Sequence, residues 1–254
     1  MHHDLDVYAY RNALRSLPSA QKLGFALAMV LLALVAHPYT QMLIVAWLSV
    51  WIVGYARIPV AVYGRWVGLI LLFWLASVPA LVVQVSPTAP GLEVGGWFLS
   101  LNGAGIMRAW RIGWRALAGG VCLLFIGLTV PFAEVLQVLR RWRFPALLLD
   151  LLVLMYRFIF LLLDEVTHLQ LAQRARGGDA TWRRRLSSTG LLVSQLVVRC
   201  LWRYQLFRLG LTARGFTGSI RVEVPVSYRF SPRYCWEAGL GMVVLVLVQL
   251  RLCT

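Results

Sequence analysis

The feature that most constrains this chain is an uninterrupted apolar stretch near its start. Between Lys22 and Arg57 lie 34 residues without a single Lys, Arg, Asp or Glu. One helix of that length would run about 50 Å, well beyond the roughly 30 Å hydrocarbon core of a bilayer. Pro38, in the sequence His-Pro-Tyr-Thr, cannot continue a helical hydrogen-bond ladder. The stretch therefore predicts two short membrane spans, at about 20–37 and 40–56.

Three further apolar segments predict spans: residues 66–85, with a kink expected at Pro79, residues 116–130 as the core of a fourth span, and residues 236–250. Composition agrees, because 60% of the residues are hydrophobic and only 14% are charged, whereas a soluble domain is nearer half apolar and a quarter charged. We expect an all-α polytopic membrane protein with about five transmembrane helices. The Pro- and Gly-rich stretch 86–105 has no Lys or Arg and is predicted to lie outside.

The distribution of positive charge predicts the orientation in the membrane. The net charge is +15, and 16 of the 25 Lys and Arg residues fall between positions 131 and 234. Such an excess marks the cytoplasmic side, so the N-terminus and this region are predicted to be cytoplasmic. No RNA- or DNA-binding motif accompanies the charge, and we expect no nucleic-acid partner. Arg108, Arg111 and Arg115 fit this topology poorly, because they approach the fourth span from its outer end.

Residues 131–143 predict a short amphipathic helix. Thirteen residues reach about 20 Å, which is too short to span a bilayer, so the helix is expected to lie at the membrane interface. The pattern places two groups of side chains on opposite faces. The apolar face carries Phe132, Val135, Leu136, Leu139 and Trp142, and the other face mainly carries Glu134, Gln137, Arg140, Arg141 and Arg143.

Two long helical segments follow, one after Pro145 and one from about Ser188 to Arg214. Hydropathy alone predicts a span at 146–163, but Asp150, Arg157 and Asp164 recur every seven residues and form one charged stripe. Charges deep in lipid are costly unless they face protein or water. The residues therefore allow either a span that faces a bundle interior or a long helix at the membrane surface.

Both long segments end in the same tripeptide, Ala-Arg-Gly. A helix C-cap explains each tripeptide alone, because Gly adopts the left-handed conformation and Arg interacts favourably with the helix dipole. The repetition favours a second role as a docking tip, in which Ala permits close approach and Arg presents a bidentate guanidinium. The candidate contact residues are Ala175, Arg176, Gly177, Ala213, Arg214 and Gly215.

The sequence contains no recognisable motif for ATP binding or for hydrolysis. Lys22 is the only lysine, and its context Ala-Gln-Lys-Leu-Gly is not a phosphate-binding loop. No GxSxG or HExxH motif occurs, and the four cysteines stand apart. Asp164, Glu165 and His168 come nearest to a metal cluster, but a solvated helix face is the simpler interpretation. We expect no catalysis, no cofactor and no metal site.

The basic segment with two helices that each end in Ala-Arg-Gly resembles the T component of energy-coupling-factor (ECF) ABC transporters. Residues 8–23 further resemble the cobalt branch, the CbiQ-like permeases. The resemblance implies that the tripeptides contact grooves of a dimer of ATPase subunits. It also implies that 146–177 and 186–215 are coupling helices at the cytoplasmic surface, whose apolar faces support a membrane-embedded, metal-specific, substrate-binding subunit. Five spans in a bacterial inner membrane, with the C-terminus outside, would then follow.

The expected organisation has three parts: transmembrane helices in 1–130, a cytoplasmic coupling domain in 131–234, made of one short amphipathic and two long helices, and a last transmembrane helix in 235–254. The leading hypothesis is a non-catalytic coupling subunit that transmits ATP-driven motion to a partner that takes up cobalt or nickel. The alternative is a self-sufficient secondary transporter, for which the sequence offers no convincing internal repeat. An intramembrane hydrolase lacks a nucleophile with a base.

Overall fold

The computed structural model describes residues 8–10, 12–86, 92–94, 97–101, 103–178, 180–215 and 232–253. The chain forms an all-α polytopic membrane fold, as predicted, with one small sheet. Its helices are α1 (Ser19–Val35), α2 (Pro38–Val50), α3 (Val60–Val82), α4 (Gly103–Thr129), α5 (Phe132–Arg141), α6 (Ala146–Ala175), α7 (Trp182–Ala213) and α8 (Pro232–Cys253). A 3₁₀ turn (Ala13–Ser16) precedes α1, and a π-helical turn (Trp51–Tyr55) continues α2.

The chain divides into two compact units. The first comprises residues 1–135 together with 225–254 and contains α1 to α4, the start of α5, and α8. The second comprises residues 136–224 and contains the rest of α5 with α6 and α7.

The predicted break in the first apolar stretch is confirmed at Pro38. Helix α1 ends at Val35, and Pro38 occupies the first turn of α2, where its missing N–H is not needed. The Gln41 side chain Nε2 donates hydrogen bonds to the carbonyls of Ala33 (2.9 Å) and Ala36 (3.0 Å). Gln41 thereby satisfies carbonyls at the end of α1 that have no partner inside that helix.

The core of the first unit is formed mainly by α1, α2 and α4. Phe25 of α1 lies against Trp51 and against the edge of Phe125, with ring centroids 5.6 Å and 5.9 Å apart. Such tilted and edge-on pairs are the favourable aromatic geometries. The largest apolar side chains that are almost completely buried there are Leu14, Met29, Ile44, Leu48, Ile52, Val121, Phe125 and Leu128.

Helices α3 and α4 approach closely because α4 places glycines against α3. A Cβ atom at Gly113 would lie 2.5 Å from the Trp74 ring, and one at Gly120 would lie 2.6 Å from Ile70 Cδ1. The Trp74 indole Nε1 also donates a hydrogen bond to the carbonyl of Ala109 at 3.0 Å. Small residues at such contacts are how membrane helices gain packing area without a hydrophobic driving force.

The structure corrects several predicted boundaries. Helix α3 begins at Val60 and ends at Val82, with Pro79 inside it, whereas the predicted span continued to residue 85. Beyond Val82 the chain forms three antiparallel strands, β1 (Val83–Ser86), β2 (Leu92–Val94) and β3 (Trp97–Leu101), in the order β1-β3-β2. The sequence analysis did not predict this sheet, because a short apolar run fits a strand as well as a helix end.

Three helices in the described part of the chain are long and apolar enough to cross a bilayer: Val60–Val82, Gly105–Thr129 and Ala146–Ala175. Helix α1 is apolar but shorter. Helix α4 starts at Gly103, so it extends well before residues 116–130, the predicted core of the fourth span, and includes the three arginines that fitted the topology poorly. Helix α6 is continuous over 30 residues, and its length is compatible with either placement left open by the sequence.

Candidate coupling site

The first Ala-Arg-Gly tripeptide forms the end of α6. Ala175 is the last helical residue, Arg176 is the C-cap with φ −91° and ψ 11°, and Gly177 has φ +72°. The Gly177 N–H donates to the Arg174 carbonyl (3.0 Å), and the Gly178 N–H donates to the Gln173 carbonyl (2.9 Å). This pair of bonds is the Schellman motif, in which a residue in the left-handed conformation stops the helix. The predicted cap is confirmed.

The second tripeptide ends α7 in the same backbone conformation. Ala213 is the last helical residue, Arg214 is the C-cap with φ −92° and ψ 9°, and Gly215 has φ +64°. The Arg214 N–H donates to the Leu211 carbonyl (3.2 Å), and the Gly215 N–H donates to the Thr212 carbonyl (3.0 Å). The first tripeptide makes bonds of the same spacing, from the Arg176 N–H to the Gln173 carbonyl (3.1 Å) and from the Gly177 N–H to the Arg174 carbonyl, so the two tripeptides have the same backbone conformation.

Both tripeptides are exposed and point into open space. All six residues are exposed, and a Cβ atom at Gly177 or Gly215 would meet nothing within 4 Å. Among the described residues, neither Arg176 nor Arg214 forms an ion pair or a side-chain hydrogen bond. The five donors of each guanidinium are therefore available to a partner. We call these two exposed helix ends the α6 tip (residues 175–177) and the α7 tip (residues 213–215).

The turn after the α6 tip is held in place by side-chain contacts with the start of α7. Gln173 Nε2 donates to the Ser188 carbonyl at 2.7 Å, and Ser188 Oγ donates to the Gly178 carbonyl at 3.3 Å. A Cβ atom at Gly178 would lie 2.8 Å from Ser188 Oγ, so only glycine fits there without a shift. Thr181 caps α7, since its Oγ1 accepts from the Arg184 N–H at 3.4 Å.

Further along the helix pair, an ion cluster joins the two helices. The Glu165 carboxylate accepts a hydrogen bond from Arg199 and lies 3.6 Å from Arg203 Nη2. The sequence correctly placed Arg199 and Arg203 on one face. Glu165 is one of the three residues, with Asp164 and His168, that came nearest to a metal-binding pattern in the sequence. Its carboxylate is instead bound by two arginines. In the part of the chain that the structure describes, no group of three or more His, Cys, Asp or Glu side chains could hold a metal ion.

The contacts show that α6 and α7 run antiparallel. Residues 173, 165 and 158 of α6 contact residues 188, 199 and 207 of α7 in that order, and the Phe158 and Phe207 rings meet edge to face at 5.8 Å. From Glu165 the α6 tip lies ~16 Å away in one direction, and the α7 tip lies ~16–22 Å from Arg199 and Arg203 in the other. The two tips are therefore at opposite ends of the helix pair, separated by ~35 Å.

A second polar cluster, which the sequence analysis missed, lies in the first unit where α4 ends and α5 begins. Lys22 Nζ donates to the Thr129 carbonyl (3.3 Å) and to Glu134 Oε2 (3.4 Å). Asn12 Nδ2 donates to the carbonyls of Leu128 (3.3 Å) and Thr129 (3.2 Å). The Lys22 and Glu134 side chains are only 3% and 1% exposed. We call Asn12, Lys22, Thr129 and Glu134 the α4–α5 joint.

The α4–α5 joint corrects the predicted position of one residue of α5. Glu134 was assigned to the mainly polar face, but its side chain is buried. Burial raises the pKa of the Glu134 carboxyl, and the nearby Lys22 ammonium offsets only part of that shift. The sequence did contain one signal for this buried cluster: Lys22 is the only lysine and lies next to a long stretch without charged residues.

The long apolar helices of the described residues place the chain in the class of α-helical polytopic membrane proteins. A family model for CbiQ, "Cobalt transport protein", matches residues 10–226 and therefore covers both tips. The cobalt transport protein CbiQ of Rhodobacter capsulatus is 35% identical over 220 residues, which are 86% of this chain and 86% of that protein. The chain belongs to the CbiQ family of cobalt transport proteins.

Two other relatives extend the comparison. The cobalt transport protein CbiQ of Salmonella typhimurium is 29% identical over 225 residues, covering 86% of this chain and 99% of that protein. A putative fused cobalt transport protein CbiMQ of Methanocorpusculum labreanum is 26% identical over 221 residues, which are 85% of this chain but only 37% of that longer protein.

Proposed function

We propose that this chain is the non-catalytic coupling subunit of an ECF-type ABC importer and that its two tips dock into the two grooves of an ATPase dimer. The observation that carries the proposal is the equivalence of the tips, which share backbone angles, cap bonds and exposure. A dimer related by a two-fold axis presents the same groove twice. Two equivalent arginines ~35 Å apart suit such a partner better than one shared site.

A second partner, a membrane-embedded substrate-binding subunit, is supported by the apolar surface of α6. Five large side chains spaced four residues apart remain exposed along this helix, and contiguous exposed apolar surface marks an interaction site. The fused relative supports the same partnership, because its name joins CbiM to CbiQ in one chain. The exposed side chains are Leu147, Leu151, Met155, Ile159 and Leu163.

The transported ion proposed for the complex is cobalt, with nickel as the alternative within the same metal class. The assignment follows the names of the family and of its relatives. We assign selection of the ion to the substrate-binding partner. In this chain the Glu165 carboxylate of the 164–168 cluster is already bound by Arg199 and Arg203, whose positive charge disfavours a metal cation.

The structure offers no specific support for a self-sufficient secondary transporter. Such a protein places ionisable residues near the bilayer midplane. In the first unit, the buried ion pair between Lys22 and Glu134 instead lies at the C-terminal end of α4, where it joins α1 to the start of α5. We therefore retain the coupling subunit as the proposed function.

Co-purification and nucleotide binding test the proposal directly. Expressed with its ATPase partner and its substrate-binding partner, the chain should be recovered in one complex that hydrolyses ATP. Purified alone it should bind no ATP in a fluorescent-nucleotide titration, because the ammonium of its only lysine is buried against Glu134 and Thr129. Saturable ATP binding by the isolated chain, or its recovery without any ATPase under mild solubilisation, would contradict the proposal.

Cysteine labelling from each side of the membrane tests the proposed topology. In a chain lacking native cysteines, Ala146→Cys and Gln170→Cys place thiols at exposed positions ~36 Å apart on α6, outside the proposed partner surface. If α6 is a coupling helix at the cytoplasmic surface, an impermeant maleimide should label neither from outside in whole cells and both in inside-out vesicles. A cysteine added at the C-terminus should show the opposite pattern. Labelling of the two α6 positions from different sides would establish a sixth span.

A further inference from the structure

The N-terminal part of α4 carries a stripe of arginines that the proposed coupling function does not use. Arg108, Arg111 and Arg115 are all exposed. Because successive helical residues turn by about 100°, spacings of three and four residues place them within an arc of about 60°. The glycines Gly113 and Gly120 that contact α3 lie on a different side of α4. We call these three residues the arginine stripe.

The guanidinium groups of the arginine stripe have no partner in the described part of this chain. None of them forms an ion pair, a hydrogen bond or an aromatic contact with any residue that the structure places. A guanidinium stays protonated under all physiological conditions. Three positive charges on one exposed face of a membrane helix therefore need counter-charge from beyond the described part of the chain.

The position of the stripe along α4 places it at a membrane interface. The buried α4–α5 joint lies next to Thr129, at the C-terminal end of α4, and the helix that follows it, α5, is the one that the sequence predicts to lie at a membrane interface. From Thr129, Arg115 lies ~21 Å along the helix and Arg108 lies ~32 Å along it. A hydrocarbon core of ~30 Å that begins at Thr129 therefore ends between these two arginines, close to Arg108.

Tryptophans at the same level of the helix bundle support this placement. Trp110 and Trp114 of α4 form an edge-to-face pair with ring centroids 5.6 Å apart, and Trp110 is 46% exposed. Trp74 of α3 contacts the Ala109 carbonyl at the same height. Tryptophan is enriched where the hydrocarbon core meets the headgroups, because its ring is apolar and its N–H is polar.

The direction of helical side chains brings the three guanidinium groups together at that interface. In an α-helix the Cα–Cβ bonds tilt toward the N-terminus, and the N-terminus of α4 is the end near this interface. Arg111 and Arg115 can therefore extend toward the headgroups while their methylene groups stay in the hydrocarbon region. Together with Arg108 they provide several bidentate donors to one anionic group.

We propose that the arginine stripe binds the phosphate of an anionic phospholipid in the leaflet at the N-terminal end of α4. Guanidinium groups match phosphate oxygens in a bidentate geometry, and at this depth lipid phosphates are the anions always present. A net anionic headgroup is preferred to a zwitterionic one, whose ammonium offsets the phosphate charge. On the topology predicted from sequence, this leaflet is the outer one.

Native mass spectrometry of the full-length chain tests the proposal. Phosphatidylglycerol is titrated against the detergent-purified protein, with phosphatidylcholine of the same acyl chains as the comparison. The wild type should retain phosphatidylglycerol preferentially. The triple variant Arg108→Gln/Arg111→Gln/Arg115→Gln should lose that preference, with a reduction in affinity of more than roughly tenfold. Arg111→Lys alone should bind more weakly than wild type, since an ammonium cannot form the bidentate contact.

A matched control separates a lipid site from the effect of net charge. The triple variant Arg183→Gln/Arg184→Gln/Arg185→Gln removes three exposed arginines from the first turn of α7 and should keep the preference for phosphatidylglycerol. A photo-crosslinking amino acid at Ile112, which is 46% exposed beside the stripe, should label lipid in native membranes. Equal lipid binding by wild type and stripe variant, or a crosslink to a protein partner instead of lipid, would overturn the proposal.

Discussion

Replacing Arg176 or Arg214 with alanine is expected to weaken assembly with the ATPase dimer and to uncouple ATP hydrolysis from transport. Each guanidinium projects from a helix end, where carboxylate or carbonyl oxygens of a groove can surround it and exclude water. Truncating one partner of a buried charged contact costs about 2–5 kcal/mol. The corresponding loss of association constant is roughly 30-fold or more for each variant, measured by co-purification and by titration of ATPase subunits.

The separation of the tips predicts how the two changes combine. Because sites farther apart than ~10 Å usually contribute independently, the double variant should lose about the product of the two single effects. Arg→Lys should restore little at either tip, since an ammonium cannot reproduce the planar fork. Every variant should stay folded, because the C-cap angles of Arg176 and Arg214 are ordinary for any residue and the stop depends on the glycine.

Arg183→Ala provides the control for these variants. Arg183 is exposed in the first turn of α7, so the change removes the same charge from the same unit without touching a helix C-terminus. It should leave assembly and coupling unchanged. If both tip variants assemble and transport like the wild type while expressing normally, the tripeptides are helix caps and nothing more.

The tips could be predicted from sequence because their structure is local. A helix C-cap of this kind needs only a helix, a residue able to adopt positive φ and the hydrogen bonds within one turn, and Gly177 and Gly215 supply that residue. The ends of α6 and α7 at Ala175 and Ala213 are accordingly where the tripeptides placed them. The break before Pro38 is local in the same way.

The α4–α5 joint could not be predicted because it depends on contacts between residues far apart in the chain. Lys22 and Glu134 are 112 positions apart, and Asn12 and Thr129 are 117 apart. From the sequence, Lys22 contributed one more positive charge to a cytoplasmic segment and Glu134 fitted the first turn of an amphipathic helix. Only the fold shows that the carboxylate faces inward and that the ammonium is its counter-ion.

The start of α4 was missed for a different reason. Its first turns contain Arg108, Arg111 and Arg115, and an apolar window excludes charged residues from a span even where the helix continues through them. Glycine lowers helix propensity, yet α4 continues through Gly113 and Gly120, where α3 approaches it closely. Packing between helices therefore overrides local propensity along this segment.

The α4–α5 joint predicts a large effect on stability. Lys22→Met leaves the Glu134 carboxylate buried without its counter-ion, and Glu134→Leu leaves the ammonium with only the Thr129 carbonyl. Removing one partner of a buried ion pair typically costs about 3–5 kcal/mol, whereas replacing both with apolar residues is often neutral or stabilising. Each single variant should therefore unfold at a distinctly lower temperature, and the double variant should recover most of the loss. Thermal unfolding followed by gel filtration in detergent measures this.

The pH dependence of Lys22→Met distinguishes loss of charge pairing from loss of packing. Burial already raises the pKa of Glu134, and without Lys22 that pKa should rise further. Between the unfolded and the folded pKa values the folded state binds more protons, so stability falls as pH rises through that window. The destabilisation should therefore shrink when the pH is lowered from about 8 to about 5. As a control, Arg233→Ala breaks an exposed pair with Glu237 and should leave the unfolding temperature nearly unchanged at both pH values, because exposed ion pairs contribute little to stability. If Lys22→Met proves as stable as the wild type at both pH values, the buried pair contributes nothing to holding α4 and α5 together.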